Sequence, residues 1–166
     1  MSVSVQQADF DAGAEIAALS AGRDNVGAVA SFVGLVRADK AAGANVDAGA
    51  VQAMTLEHYP GMTEKALQDI VAEAEGRWSL LGVRVIHRIG RLLPGDRIVF
   101  VGAASAHRGD AFAACEFIMD YLKTRAPFWK KEETPAGGRW VDARESDDAA
   151  ADRWSAPAPG DTQKNG

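Results

Sequence analysis

Two apolar runs joined by a very short connection constrain the fold of this 166-residue chain more than any other feature. The runs are Leu81–Gly90 (LGVRVIHRIG) and Asp96–Ser105 (DRIVFVGAAS), and both have the composition of strands. They are joined by RLLPGD, which ends in the first residue of the second run and contains a Pro-Gly-Asp turn signal. Because so short a connection joins neighbouring strands in antiparallel orientation, the sequence predicts an antiparallel pair here.

Three segments show the spacing of apolar residues that is typical of helices. Asp11–Gly22 is predicted to be a short helix that begins at its aspartate cap and stops at its glycine, and Met62–Trp78 is predicted to be amphipathic. Arg108–Arg125 is predicted to form a third helix, since Pro127 prevents continuation. The apolar stripe predicted for the third helix consists of Phe112, Cys115, Met119 and Leu122.

The remaining patterned segments are strand-like. Val26–Arg37 is rich in valine and small residues, which predicts a strand buried on both faces, and Val51–Tyr59 alternates with a period of two. FWKKEET and RWVDA lie on either side of PAGG and predict a closing hairpin. Helices and hairpins are interspersed without strict alternation, which is typical of an α+β fold with a largely antiparallel sheet and flanking helices.

The length of the chain favours a single domain. Ala38–Ala50 offers almost nothing to pack, and we expect a mobile loop there. After Val141 the sequence is polar and rich in alanine and proline, with Trp154 as its apolar exception. We therefore place the domain at residues 1–154 and expect a surface tail that is disordered over 155–166.

Charge and composition restrict the function. A formal charge of −5 argues against general nucleic-acid binding, and no apolar run is long enough to predict a membrane span. The N-terminus lacks the features of a secretory signal, so we expect a cytoplasmic protein. The single cysteine and the three scattered histidines do not suggest a disulfide or a metal site, and we expect neither a metal nor a cofactor.

Cations are concentrated at a few points of this acidic chain. His107 and Arg108 open the third predicted helix, where unpaired backbone N–H groups favour an anion such as phosphate. Arg37 ends a predicted strand just before the loop, a common place for a residue that binds an anionic group. An ordinary surface role is equally compatible with all three residues.

Lys123 and Lys130 lie on either side of Pro127. Lys123 is in the last turn of a helix, where a cation is favoured by the helix dipole alone. If the following strand folds back beside the helix end, the two ammonium groups would depress each other's pKa and leave one amine able to act as a base or nucleophile. Lys131 is predicted to point to the opposite face of the strand, towards solvent.

Three further residues are predicted to be structural. Cys115 lies on the apolar stripe of a helix and should be buried and unreactive. His58 and His87 lie within strand patterns and are predicted to be packed, hydrogen-bonded histidines.

Several long motifs resemble the family of large, catalytic subunits of molybdopterin synthase. They are TLEHYPGMTEKAL, VIHRIGRLLPGDRIVFVG, SAHRGDAF, FIMDYLKTRAPFWKKEET and RWVDARESD. The resemblance extends over about Val26–Trp154 and implies an α/β-hammerhead fold and a homodimer at the core of a heterotetramer. It also implies a small ubiquitin-like partner that carries sulfur as a C-terminal Gly-Gly thiocarboxylate. The implied reaction transfers two sulfurs to cyclic pyranopterin monophosphate (precursor Z) and forms the dithiolene of molybdopterin.

The resemblance also implies roles for individual residues. It assigns the chemistry to Lys123 and Lys130. The residues that it places in substrate binding are Arg37, His107, Arg108, Lys131 and Glu132. A second protomer is expected to complete the site, and the question of a covalent lysine intermediate stays open.

Two other functions are compatible with the same residues. The same cations would suit a non-catalytic module that binds a phosphorylated small molecule or the acidic tail of a partner. KTRAPFWKKE also interleaves cations with aromatic residues, which is a weak signal for single-stranded nucleic acid in a chain of this charge. Turnover distinguishes the enzyme from the binding module.

Overall fold

The computed structural model describes residues 2–39, 49–141 and 145–155, and these residues form two antiparallel-rich sheets with flanking helices. In chain order the elements are β1 (Val3–Gln6), α1 (Ala12–Ser20), β2 (Ala28–Leu35), β3 (Ala53–His58), α2 (Met62–Arg77), β4 (Leu80–Arg88), β5 (Gly90–Leu92), β6 (Arg97–Ser105), α3 (Arg108–Arg125), β7 (Phe128–Thr134), β8 (Gly137–Val141) and α4 (Glu145–Asp152), followed by a 3₁₀ turn at Arg153–Ser155. The predicted α+β class is confirmed.

The first sheet has the strand order β1-β4-β6-β2. β4 and β6 are antiparallel, with Val85 opposite Val101, so the pair predicted from the short connection is confirmed. β6 is also antiparallel to β2, whereas β1 runs parallel to β4. The last seven residues of β6 are all buried, because helices cover both faces of the sheet.

Alternation along β4 and β6 supplies two separate layers of core. Val85 and Val101 point to the face on which α2 and α3 pack, and Phe117 of α3 is fully buried there. Ile86 and Phe100 point to the other face, where Phe10 meets Phe100 edge-on with ring centroids 6.0 Å apart. The predicted helix at the N-terminus is confirmed on this second face, where Asp11 accepts a hydrogen bond from the Ala14 N–H at 3.0 Å.

The second sheet has the strand order β5-β3-β7-β8 and is antiparallel throughout. The chain passes from β4 in the first sheet to β5 in the second through Gly90, whose φ of 89° is readily adopted only by glycine. Val36, Leu56 and Leu92 form a small buried cluster next to this second sheet. The predicted closing hairpin is confirmed as β7 and β8, with Thr134 opposite Gly137.

Two burial predictions were wrong. β2 is an edge strand, and its Phe32 and Leu35 side chains are 42% and 52% exposed, so the strand is not buried on both faces. Phe112 was placed on the apolar stripe of α3 but is 66% exposed. It lies at the start of the second turn and at the margin of the buried arc, whose centre is occupied by Ala111, Ala114 and Ile118.

The segment after Val141 is more ordered than its composition predicted. Glu145–Asp152 forms α4, which packs on α3, and Ala151 is 6% exposed. Trp154 then packs edge-on against Trp78 and Phe117, each with ring centroids 5.6 Å away. Its Nε1–H donates to the Asp120 carboxylate at 2.6 Å. The few apolar residues of this segment are enough to order it, because Trp78 and Phe117 provide aromatic rings on which Trp154 packs.

Two predictions fall largely outside the described residues. Most of the expected loop at Ala38–Ala50 lies at 40–48, and nearly all of the expected disordered tail lies at 156–166. The placement of the domain at 1–154 stays an expectation.

We predict that Trp154→Ala lowers the free energy of unfolding by about 2 to 3 kcal/mol, because it removes a half-buried aromatic ring and a hydrogen bond. Urea denaturation followed by circular dichroism measures the change. Ser155→Ala, at a neighbouring exposed position, is the control and should leave the midpoint unchanged. A Trp154→Ala midpoint equal to that of the control would show that the C-terminal segment does not stabilise the domain.

Candidate active site

Lys130 lies in the middle of β7, between β3 and β8. It is opposite Leu56 on one side and Val141 on the other, and it is half-buried. Lys131 is exposed on the other face, and its Nζ lies 5.9 Å from the centre of the Trp140 ring. The prediction that adjacent lysines face opposite ways is therefore confirmed, and Lys131 points away from the side on which Lys130 is partly enclosed.

Lys123 lies in the last turn of α3 and is exposed. The helix ends at Arg125, and β7 begins at Phe128 after a two-residue connection. This connection is held by Thr63, which is fully buried and whose hydroxyl donates to the Pro127 carbonyl at 2.9 Å. Lys123 and Lys130 therefore lie in the two elements that this short connection joins, and the predicted closeness of their two amines stays a prediction.

A packed histidine lies beneath this connection. His87 of β4 is 4% exposed, and its ring stacks on Phe128 with centroids 3.7 Å apart. Burial lowers the pKa of His87 to about 4, and the charges of Lys130 and His58 add to the shift against an opposing hydrogen bond to the Arg88 carbonyl. His87 is therefore neutral at neutral pH, and the prediction that it is packed and hydrogen-bonded is confirmed.

His58 is also enclosed. It is opposite Phe128 in the pairing of β3 with β7, and its Nε2 lies 3.3 Å from a Glu64 carboxylate oxygen. Its side chain is 15% exposed. The interpretation of His58 as a packed histidine is also confirmed.

Arg37 lies at the same end of the molecule as the two lysines. It follows β2 and is exposed. Its neighbour Val36 packs with Leu56, the residue opposite Lys130. Arg37 is therefore at the β7 end of the first sheet.

His107 and Arg108 lie at the opposite end. They are exposed at the start of α3, directly after β6, and α3 then runs back along the sheet. With a rise of 1.5 Å per helical residue, Arg108 and Lys123 are roughly 22 Å apart along the helix. One chain therefore brings Arg37, Lys123 and Lys130 to one end and separates them from His107 and Arg108.

Glu132 differs from the other predicted substrate-binding residues because it is buried. It is 5% exposed and forms an ion pair with Arg139 of β8, with Nη2 and Oε2 at 3.3 Å. Sequence reasoning missed Arg139, although the two-residue turn of the hairpin predicts that it lies opposite Glu132. Arg139 Nε is buried, and it makes no hydrogen bond within the described part of the chain.

The cysteine does not contribute a nucleophile. Cys115 is 7% exposed in α3, and burial raises the pKa of its thiol to about 11, with the negative charge of Glu116 adding to the shift. A protonated thiol enclosed by apolar residues is a poor nucleophile, so the prediction of an unreactive cysteine is confirmed.

Within residues 2–39, 49–141 and 145–155, no group of three His, Cys, Asp or Glu side chains is arranged to hold a metal ion. Among the helices described, none combines the length and apolar character required to cross a membrane.

Comparisons with known proteins agree on one family. The model of the MoaE protein family matches residues 5–125. A protein of Ralstonia nicotianae named molybdopterin synthase catalytic subunit is 62% identical over 152 residues, which are 92% of this chain and 83% of that protein. Its counterpart in Pseudomonas aeruginosa, with the same name, is 60% identical over 154 residues, 93% of this chain and 99% of the relative.

Solved structures agree with this result. The molybdopterin biosynthesis MoaE protein of Burkholderia ambifaria superimposes with a TM-score of 0.77 at 57% identity, covering 93% of this chain and 98% of that one. Molybdopterin synthase from Staphylococcus aureus gives a TM-score of 0.75 at 27% identity, with 86% of this chain and 98% of that chain covered. The chain therefore belongs to the MoaE protein family.

Proposed function

We propose that the chain is the catalytic subunit of a molybdopterin synthase and acts in the cytoplasm as a sulfurtransferase of molybdenum cofactor biosynthesis. Two sulfurs would come from the C-terminal Gly-Gly thiocarboxylate of a small ubiquitin-like partner. They would be transferred to precursor Z to form the dithiolene of molybdopterin. The observation that carries the proposal is that Lys123 and Lys130 lie in the two elements joined by the connection that Thr63 holds, in a chain whose single thiol is buried and protonated.

Because the sulfur would arrive on the partner, the site would consist of cations and would not include a thiol. A site that receives sulfur already activated as a thiocarboxylate needs to orient two anionic reactants and move protons, and it needs no thiol of its own. Lys130, half-buried beside a neutral histidine, and Lys123, exposed at the helix end, suit this work. The lysines act through charge and proton transfer, or one amine becomes a nucleophile; both routes use the same two residues.

A dimer would assemble the remaining cations. Because His107 and Arg108 lie at the other end of α3, we propose that they are supplied by a second protomer and bind the pterin and its phosphate. Arg37 would bind the same substrate from the protomer that provides the lysines. Two such sites, each with one small partner, make a heterotetramer around a homodimer. Of the two other residues implied by the resemblance, Glu132 would support substrate binding through its pair with Arg139, whereas Lys131 faces away from Lys130 and would add only positive charge around the site.

The direct test is reconstitution. The purified protein, a thiocarboxylated small partner and precursor Z should together yield molybdopterin, detected as its oxidised fluorescent derivative. The partner with an ordinary carboxylate terminus is the control and should yield none. Binding of both reactants without any dithiolene would contradict the proposal and favour the non-catalytic anion-binding module.

Cys115→Ala belongs in the same assay, because a protein-borne sulfur would require this thiol. The variant should retain turnover if sulfur arrives on the partner. Loss of turnover by a folded Cys115→Ala protein would contradict the route proposed here.

Lysine substitutions test the roles at the site. Lys123→Ala should lower kcat by at least about 100-fold while the fold and partner binding remain intact, because the residue acts on the reacting atoms. Lys123→Arg should fail nearly as badly, since a guanidinium keeps the charge but cannot give up its proton near neutral pH. The measurement is the rate of dithiolene formation at matched partner concentration.

Lys131→Ala is the matched control for Lys130→Ala, because the two lysines are adjacent on opposite faces of β7. The Lys131 variant should be much less impaired. An active Lys123→Arg enzyme would show that Lys123 acts only through its positive charge. Equal losses of activity in the Lys130→Ala and Lys131→Ala variants would contradict the assignment of the Lys130 face of β7 to the site.

A further inference from the structure

His87 is placed in contact with the strand that carries Lys130. It belongs to β4 of the first sheet, and its ring lies nearly parallel to the ring of Phe128 in the second sheet, at an interplanar angle of 17°. Phe128 and Lys130 are two residues apart on β7, so their side chains leave the same face of the strand. The His87 ring therefore packs on the face of β7 from which Lys130 leaves, and the two groups are close enough for the Lys130 charge to act on the ring.

The hydrogen bonding of His87 defines its tautomer. Nδ1 lies 2.8 Å from the backbone carbonyl oxygen of Arg88. A carbonyl oxygen can only accept, so Nδ1 carries the proton and donates. In the neutral ring this leaves a lone pair on Nε2, the nitrogen farther from the backbone.

The charge state of the ring suits a position next to a lysine. The imidazole is neutral at neutral pH because it is buried and because the Lys130 charge is close enough to oppose its protonation. A cation here would repel the Lys130 ammonium, whereas a neutral nitrogen with a lone pair can accept a hydrogen bond from it.

We propose that His87 is a positioning residue for Lys130, whose amine donates a hydrogen bond to the Nε2 lone pair during the reaction. His87 does not touch the substrate in this scheme. It fixes the direction in which the lysine meets the reacting groups, and it adds no charge to the site. The inference rests on the proposed function, because it assigns a role relative to a catalytic Lys130.

Two amide substitutions separate this role from packing. His87→Asn places an amide near the position of Nδ1, so it can still donate to the Arg88 carbonyl but offers nothing at Nε2. His87→Gln reaches the position of Nε2 instead. Both variants lose the stack on Phe128. If packing and the bond to Arg88 were the only roles, His87→Asn would retain at least as much activity as His87→Gln, because it keeps that bond.

The experiment measures kcat and KM for dithiolene formation with thiocarboxylated partner and precursor Z. His87→Asn should lower kcat by up to about 100-fold, the loss expected for a misdirected catalytic group, with KM for both substrates nearly unchanged. His87→Gln should retain most of the wild-type kcat. His58→Gln, at the neighbouring enclosed histidine, is the matched control and should also retain it.

Folding is checked by thermal unfolding of each variant. Equal kcat values for folded His87→Asn and His87→Gln proteins would overturn the proposal. If the amide variants do not fold, His87→Phe keeps an aromatic ring against Phe128 without any ring nitrogen; it should lose kcat, and full activity would overturn the proposal. A wild-type protein that forms no dithiolene would instead refute the proposed function.

Discussion

The packing of α3 along the first sheet determines where the candidate cations lie. Ala111 and Ala114 are almost completely buried, and these small side chains allow the helix to lie close to the sheet. The helix begins directly after β6 and returns along it, so its two ends mark the two ends of the sheet. His107 and Arg108 are fixed at one end, and Lys123 and the connection to β7 at the other.

The second sheet places β7, and with it Lys130, at this end of the helix. β7 is held between β3 and β8, and the buried hydroxyl of Thr63 holds the connection that precedes it. His87 packs against the same strand as a neutral ring. Arg37, Lys123 and Lys130 thus share one end of a chain with a net charge of −5, an arrangement that suits small anionic reactants better than a long polyanion.

The sequence predicted the parts of the fold that depend on local pattern. The β4–β6 pair, the β7–β8 hairpin and the opposite orientations of Lys130 and Lys131 follow from turn chemistry and from the period of a strand. Burial of β2 and order after Val141 depend instead on neighbours that are remote in sequence. A valine-rich strand has the same pattern at the edge and in the centre of a sheet, and Trp154 is half-buried because it packs against Trp78 and Phe117.

The candidate site was predictable to the same degree. Sequence motifs pointed to Arg37, Lys123, Lys130, His107 and Arg108 as candidate site residues, but they do not reveal how far His107 and Arg108 lie from the other three. That distance follows from the path of α3 across the sheet, and so does the conclusion that one chain cannot unite them. The buried pair of Glu132 and Arg139 depends on the register of a hairpin, which becomes evident only once the turn is known.

The proposed sharing of each site between two protomers is tested most directly by complementation. Lys123→Ala and Arg108→Ala proteins should each be inactive as homodimers. A mixed dimer, isolated with a different affinity tag on each chain, has one intact site if the lysines and Arg108 come from different protomers, and it should recover about half of the wild-type kcat per dimer. A mixed dimer that stays inactive, although both chains are folded and bind the small partner, would contradict the shared site.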